Sequence, residues 1–282
     1  MGECKNMEES TEIKKIKNFS LNVRKNILEM AVSAGASSAH FGGALSITEI
    51  ISTLFAHQMK IDKKNPTWEE RDRFILSKGH ACLVLYSALL EKKIIGWEQV
   101  KNFEKDNSDF PGHPVKNQDL GIEFSTGSLG MGIGLSIGVA IALRKKKLNN
   151  HIFVLLGDGE CNEGSVWEAA MAAPNFKLEN LYAIIDKNNF QQTGANKDIM
   201  NVDSLKDKWS SFGWHTEEID GHKINKICEV FEKTKSINKP KAIIANTIKG
   251  KGFSFSENNN DWHHSVLNKS FYDKAIAELE KK

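Results

Sequence analysis

The sequence predicts an α/β fold: a doubly wound, mostly parallel sheet with helices on both faces. Three observations carry that prediction. The short apolar runs IFVLL (152–156), LYAIID (181–186) and KAIIANT (241–247) are continuous rather than alternating, as strands covered on both faces are. Segments of helical character, SVWEAAMAAPNF, SLKDKWSSFGW and NKICEVFEKTK, intervene or flank them, and strand–helix alternation marks this class. Each run also gives way to a loop of Gly, Asp, Asn or Lys, at the sheet edge where such folds bind ligands.

The other elements follow in order. Ile16, Phe19, Val23, Ile27 and Met30 recur at helical spacing, predicting an amphipathic helix over 16–33 behind a flexible segment, 1–15. The small-residue stretch AGASSAHFGGALS comes next, then a helical pattern in SITEIISTLFAHQM, a short strand in DRFILS and a helix in HACLVLYSALLEKK. Residues 106–130 hold two of the five prolines among many polar side chains, so an irregular loop is expected. MGIGLSIGVAIALRKKK reads as helix despite its glycines. Gly130, Gly134 and Gly138 lie four apart, on a face open to another helix or to a ligand. With no repeat or linker in view, 16–282 is expected to form one domain with a C-terminal extension.

Bulk properties exclude several classes. A net charge of +2 over 282 residues signals neither nucleic acid nor a strongly acidic partner. Cys4, Cys82, Cys161 and Cys228 form no CxxC pair, which argues against zinc and a disulfide framework and for a reducing cytoplasm. The first residues have no signal-peptide core, and no run approaches the ~20 apolar residues of a membrane span.

The chemistry-bearing residues cluster at two of the strand ends. GDG at 157–159 and NN at 188–189 are separated by 28 residues, and in this topology both loops emerge at one sheet edge. Asp158 offers an anionic oxygen, Asn188 a neutral amide oxygen and Phe190 a backbone carbonyl. Oxygen-only ligation with little charge suits Mg²⁺ or Ca²⁺, with the remaining positions left to water and a phosphorylated ligand. The glycines let backbone N–H groups approach phosphate oxygens at the following helix N-terminus. GDG alone is often only a turn; the pair at this spacing on two buried strands is the stronger signal.

Here the sequence resembles the transketolase family of thiamine diphosphate enzymes. The segments SAHFGGALS (38–46), RDRFILSKGHACLVLY (71–86), FPGHP (110–114), STGSLGMGIGLSIGVAIA (125–142), GDGECNEGSVWEA (157–169), DKNNFQQTG (186–194), GWHTEEIDGH (213–222), NTIKGKG (246–252) and WHH (262–264) follow in the family's order. The resemblance implies the thiamine diphosphate-binding fold, and transfer of a two-carbon ketol unit from a ketose phosphate to an aldose phosphate, with pentose phosphates as the default sugars. It implies that Asp158, Asn188 and the Phe190 carbonyl hold Mg²⁺, for which Ca²⁺ or Mn²⁺ can substitute. The cofactor would meet His80, Gly127, Ser128, Leu129, Asp158, Gly159, Glu160, Asn188 and His263. Catalysis would fall to His40, His80, His113 and His263, since the reaction moves protons to and from oxygens; His40, His113 and His263 would also meet the substrate. Glu163 matches the family's interface glutamate. Only the family's diphosphate-binding half is matched, so the resemblance implies a split enzyme. A C-terminal subunit would carry the pyrimidine-binding domain, in an assembly of two copies of each chain.

Several positions depart from the family. Asn189 stands where Gly is usual, and Asn is the next-best residue for a positive φ. His264 replaces a Gly beside His263 and could crowd the substrate entrance; HFGG replaces His-Pro-Gly or His-Ile-Gly. Asp220 and His222 read as turn residues, and Lys249 and Lys251 as phosphate contacts or a solvated loop. Three rival readings are the alpha subunit of a 2-oxo acid dehydrogenase, a transketolase-like enzyme for a specialised sugar, and a cofactor-binding scaffold without catalysis.

Overall fold

The computed structural model describes residues 10–281. Its strands are β1 (Arg73–Leu76), β2 (Ile152–Gly157), β3 (Leu181–Lys187), β4 (Phe190–Gln191), β5 (Gly194–Ala195), β6 (His215–Asp220) and β7 (Lys241–Asn246). Five make one sheet in the order β1-β2-β3-β7-β6, every pairing parallel. β4 and β5 form a small antiparallel hairpin beyond β3. The helices are α1 (Thr11–Ala34), α2 (Gly42–Leu45), α3 (Thr48–Thr53), α4 (Cys82–Glu91), α5 (Trp97–Val100), α6 (Met131–Lys145), α7 (Gly164–Asn175), α8 (Asn196–Ile199), α9 (Leu205–Ser211), α10 (Ile224–Thr234) and α11 (Lys269–Leu279).

The continuous apolar runs are explained by burial on both faces. Phe153, Leu155, Tyr182, Ile184 and Ile243 pack on one side with Val23 and Ile27 of α1, Leu83 of α4 and Phe231 of α10. Val154, Leu156, Ala183, Ile185 and Ile244 pack on the other with Ile133 of α6, Val166 of α7 and Trp209 of α9. Neighbouring residues on a strand face opposite layers, so a strand between two helical layers needs apolar side chains at every position.

Two expectations are corrected, and one strand is added to those expected. The first helix starts at Thr11, so residues 11–15 are helical; Ser10 caps it by accepting a hydrogen bond from the Ile13 amide, and the buried Ile13 extends the apolar stripe by one turn. Residues 1–9 of the expected flexible segment lie outside the described residues. Strand β6 carries no apolar run: HTEEID sits at the sheet edge, where charged side chains are tolerated and block further pairing. Gly130, Gly134 and Gly138 do not act as one packed face within the chain. Gly130 precedes α6 with φ 81, while the Cβ positions of Gly134 and Gly138 meet nothing within 4 Å. The close approach belongs to Gly132, whose Cβ would sit 2.4 Å from Ser77 Oγ.

Candidate active site

The parallel topology delivers the carboxyl ends of four strands to one place. β1 runs into Ser77, Lys78 and His80, β2 into Asp158–Glu160, β3 into Asn188–Gln192, and β7 into Thr247 and Lys249. With His40, His113, Gly127, Leu129, Glu163 and His263 these loops line a cavity of about 330 Å³. Ser128 is exposed and does not line it. Two glycines let the walls close up. A Cβ on Gly159 would lie 2.8 Å from the Gln191 Cβ, and Gly127, at φ 148, would meet the His113 ring at 2.8 Å.

At the floor, Asp158 is 1% exposed. Its Oδ1 accepts from the Gly159 amide at 2.8 Å and its Oδ2 from the Asn189 amide at 2.6 Å. Burial, and then the nearby Asp186, push its carboxyl up to about 6. Asn189 has φ 65, the left-handed conformation that Asn tolerates, and this turn aims its amide at Asp158 while its side chain stays exposed. Asn188 is the inward residue: its Nδ2 donates to Asp186 Oδ2 at 2.7 Å, and its Oδ1 accepts from the Phe190 amide at 3.0 Å. Among the described residues no group of three or more His, Cys, Asp or Glu is placed to hold a metal ion. At the floor the donors are instead the Asp158 carboxylate with the Asn188 amide and Phe190 carbonyl oxygens, an oxygen set of low charge that suits a hard divalent cation shared with phosphate oxygens. The walls also hold an unpaired donor, since the buried Gln191 Nε2 has no hydrogen-bond partner among the described residues. These features fit an Mg²⁺–diphosphate group.

The structure adds Lys78 and Asp186, which sequence reasoning passed over, and gives Lys249 and Glu160 definite surroundings. Lys78 is 2% exposed, and its ammonium donates to Asp186 Oδ2 at 2.6 Å and to the Gly43 carbonyl at 2.8 Å. Asp186, fully buried, also accepts from Ser46 Oγ at 2.6 Å and from Thr247 Oγ1. Burial alone would raise its carboxyl, but Lys78 and these hydrogen bonds outweigh it and hold the group below the usual range. Lys249 is buried, not solvated. Its Nζ lies 2.9 Å from His263 Nδ1 and 2.6 Å from Asn260 Oδ1, and burial followed by Lys78 lowers it to about 8. In KGHA and IKGKG a buried lysine looks like any surface lysine; the cue was its position at a strand end. Glu160 lines the cavity, and its carboxylate is already engaged. It accepts from Ser77 Oγ, from the Gly130 amide at 2.8 Å and from the Gly157 amide at 3.0 Å, tying the ends of β1 and β2 to the start of α6.

Above this floor the imidazoles gather. The His40 ring lies 5.2 Å from that of His80, 5.5 Å from His113, 5.4 Å from His263 and 4.4 Å from His264. Burial lowers His40 to about 3 and His263 to about 4, with neighbouring cationic and imidazole groups adding to the effect, and drives His80 well below its ordinary value. These three are therefore neutral at physiological pH. The Lys249 ammonium donates to His263 Nδ1, which leaves the His263 proton on Nε2. A neutral ring can donate a hydrogen bond to an oxygen from its N–H and accept a proton at its bare nitrogen. Glu163, which precedes α7, is exposed at the rim.

A buried oxygen site under a cluster of neutral imidazoles, at the carboxyl edge of a parallel sheet, defines a diphosphate-cofactor enzyme domain. Residues 20–280 match the family described as "Transketolase, thiamine diphosphate binding domain", and the chain belongs to the transketolase family. It is 41% identical over 260 residues to the 6-deoxy-6-sulfo-D-fructose transketolase subunit SqwG of Clostridium sp. (strain MSTE9), covering 92% of this chain and 94% of that one. It is 39% identical over 258 residues to an apulose-4-phosphate transketolase subunit from Actinobacillus succinogenes, covering 92% and 93%. The transketolase structure from Campylobacter jejuni superposes with a TM-score of 0.86 at 31% identity, over 96% of this chain but 43% of that one. The chain thus spans most of the length of proteins named as subunits and about two fifths of that full transketolase.

Proposed function

We propose that this chain is the N-terminal subunit of a split transketolase that uses thiamine diphosphate and Mg²⁺ to move a two-carbon ketol unit between sugars. The observation that carries this reading is the convergence of the Asp158–Asn188 oxygen pair and four imidazoles on one cavity. Asp158, Asn188 and the Phe190 carbonyl would hold the metal, and His80, Gly127, Ser128, Leu129, Gly159, Glu160 and His263 would flank the cofactor, which supplies the electron sink for carbon–carbon cleavage. Lys78 and Lys249 set positive charge beside the diphosphate position. His263 presents Nε2–H toward a substrate oxygen, while His40 and His113 stand where protons pass to and from the substrate hydroxyls. Glu163 at the rim faces an interface with a neighbouring subunit. The assembly follows as two copies of this chain with two of a C-terminal partner in the cytoplasm.

Two relatives' names support a specialised sugar in place of ordinary pentose phosphates. One name specifies 6-deoxy-6-sulfo-D-fructose and another apulose 4-phosphate. We assign this chain a specialised sugar of that kind, as distinct from an ordinary pentose phosphate. The purified chain alone should give no ketol transfer, and mixing it with the partner, Mg²⁺ and thiamine diphosphate should restore it. Turnover by the chain alone would overturn the split-enzyme reading, and turnover of pyruvate in place of a ketose would favour the 2-oxo acid reading.

We propose that His264, whose ring lies 4.4 Å from that of His40, selects among donors. Ser38, at φ 61 and ψ 178, occupies a region that favours glycine, and its hydroxyl lies 3.1 Å from His264 Nε2. A backbone bridge between Ala39 and Ser265 holds the two segments together, with both N–O distances 3.0 Å. His264→Gly should therefore shift the ratio of kcat/KM between competing ketoses on the order of 10-fold with little change in the best kcat. Unchanged ratios across a ketose panel would remove His264 from the specificity argument.

A further inference from the structure

The motif IDGH left His222 as a turn residue, and the structure gives it a more definite place. Gly221 brings this turn against β7: a Cβ there would lie 2.6 Å from Thr247 Cγ2. His222 then bridges two groups of opposite kind. Its Nδ1 is 2.9 Å from Glu49 Oε2 of α3, and its Nε2 is 2.8 Å from the backbone nitrogen of Ile248. Glu49 is ionised against Arg24 of α1 at 2.6 Å, so it only accepts; the Ile248 amide only donates. One neutral tautomer satisfies both, with the proton on Nδ1 and the lone pair on Nε2.

Ile248 directly precedes Lys249, whose ammonium contacts His263 Nδ1 at 2.9 Å. The same loop is pinned on its other side by the Gly250 amide to the Gly42 carbonyl at 3.0 Å and the Asn258 amide to the Lys249 carbonyl at 2.9 Å. The Thr247–Ile248 peptide, whose N–H meets His222, thus stands one residue before the lysine that reaches the cavity. A carboxylate that fixes an imidazole tautomer, which in turn fixes a third group, is an orienting arrangement.

We infer that His222 is a positioning residue: held by Glu49 and Arg24 as the Nδ1–H tautomer, it fixes the Ile248 amide and so places the Lys249 ammonium on His263. The inference rests on the transketolase reading only for its kinetic consequence; the geometry stands apart from it. In the wild-type chain, imidazole ¹⁵N spectra should show His222 protonated at Nδ1 and bare at Nε2. His222→Gln keeps an acceptor near the Nε2 position, whereas His222→Asn keeps a donor to Glu49 and leaves the Ile248 amide unpaired. The His263 ¹⁵N resonances should therefore move in H222N and stay near wild type in H222Q. In the complete enzyme with its partner, Mg²⁺ and thiamine diphosphate, H222N should lose kcat on the order of 10-fold at similar KM, and H222Q should retain most of it. Glu49→Gln should behave as H222N, because an amide donor facing Nδ1 drives the proton to Nε2. An Nε2–H or doubly protonated His222 in the wild-type spectrum would overturn the inference, as would His263 resonances that ignore all three substitutions. If the partnered enzyme transfers no ketol unit, the function reading falls and the spectra still decide the role of His222.

Discussion

Asp158→Asn is expected to weaken Mg²⁺-dependent thiamine diphosphate binding by on the order of 10²-fold or more, the largest effect of any single substitution at the cavity floor. Asp158 is the one anionic oxygen donor of the proposed metal set, and the substitution removes its charge while keeping its shape. The pH dependence tests the same point. Burial raises the Asp158 carboxyl from 3.8 to about 6 in the ion-free chain. Between these values the native chain binds more protons than the unfolded one, so this contribution to stability is present below about 4 and is lost as pH rises through about 6. At pH 7 the ionised Asp158 costs the ion-free fold on the order of 3 kcal/mol. A divalent cation bound there offsets that cost, and its affinity should fall as pH drops below about 6 because the proton competes for the same oxygens. Calorimetry of the partnered enzyme checks the affinity, and thermal melts of the chain with and without Mg²⁺ check the linkage. A D158N enzyme that binds the cofactor as tightly as wild type would remove Asp158 from the site.

The site was partly legible in the sequence. Asp158, Gly159 and Asn188 carry their chemistry in their residue types and in a spacing that a parallel sheet converts into proximity. The glycine-to-asparagine departure at 189 was legible for the same reason, since few side chains other than Asn accept φ 65 without strain. Lys78, Asp186 and His222 were not legible in their roles. Their burial and partners come from segments 26 to 173 residues away, as in Ile248–His222 and His222–Glu49, and no local pattern encodes such pairings. Strand β6 was missed because an edge strand need not be apolar. The segment 131–147 was read as helix and forms one over Met131–Lys145, but its Gly134 and Gly138 pack against nothing among the described residues. Glu160 shows the reverse difficulty. Its place in GDGE suggested a cofactor contact, while three donors from Ser77, Gly130 and Gly157 show a carboxylate already engaged in joining strand ends to a helix.

Asp186→Asn should cost about 3–5 kcal/mol of folding stability, because it leaves the buried Lys78 ammonium without its counter-ion. Asparagine keeps one acceptor oxygen, for Ser46 or for Thr247 but not for both, so the loss is one of charge and of one acceptor rather than of packing. Lys78→Met should be destabilising as well, since it leaves Asp186 ionised in a buried site with neutral donors alone. An added anion separates the two variants. Lys78 lines the cavity beside Gly157 and Asp158, so inorganic pyrophosphate with Mg²⁺ can approach its ammonium. Binding to the native state raises stability in proportion to affinity, and the unpaired ammonium of D186N should bind that anion more tightly than the paired one of wild type. Pyrophosphate should therefore raise the melting temperature of D186N by more than that of wild type, and that of K78M by less. Equal shifts in all three proteins would mean that Lys78 serves the fold alone, and the positive charge at the diphosphate position would then have to come from Lys249.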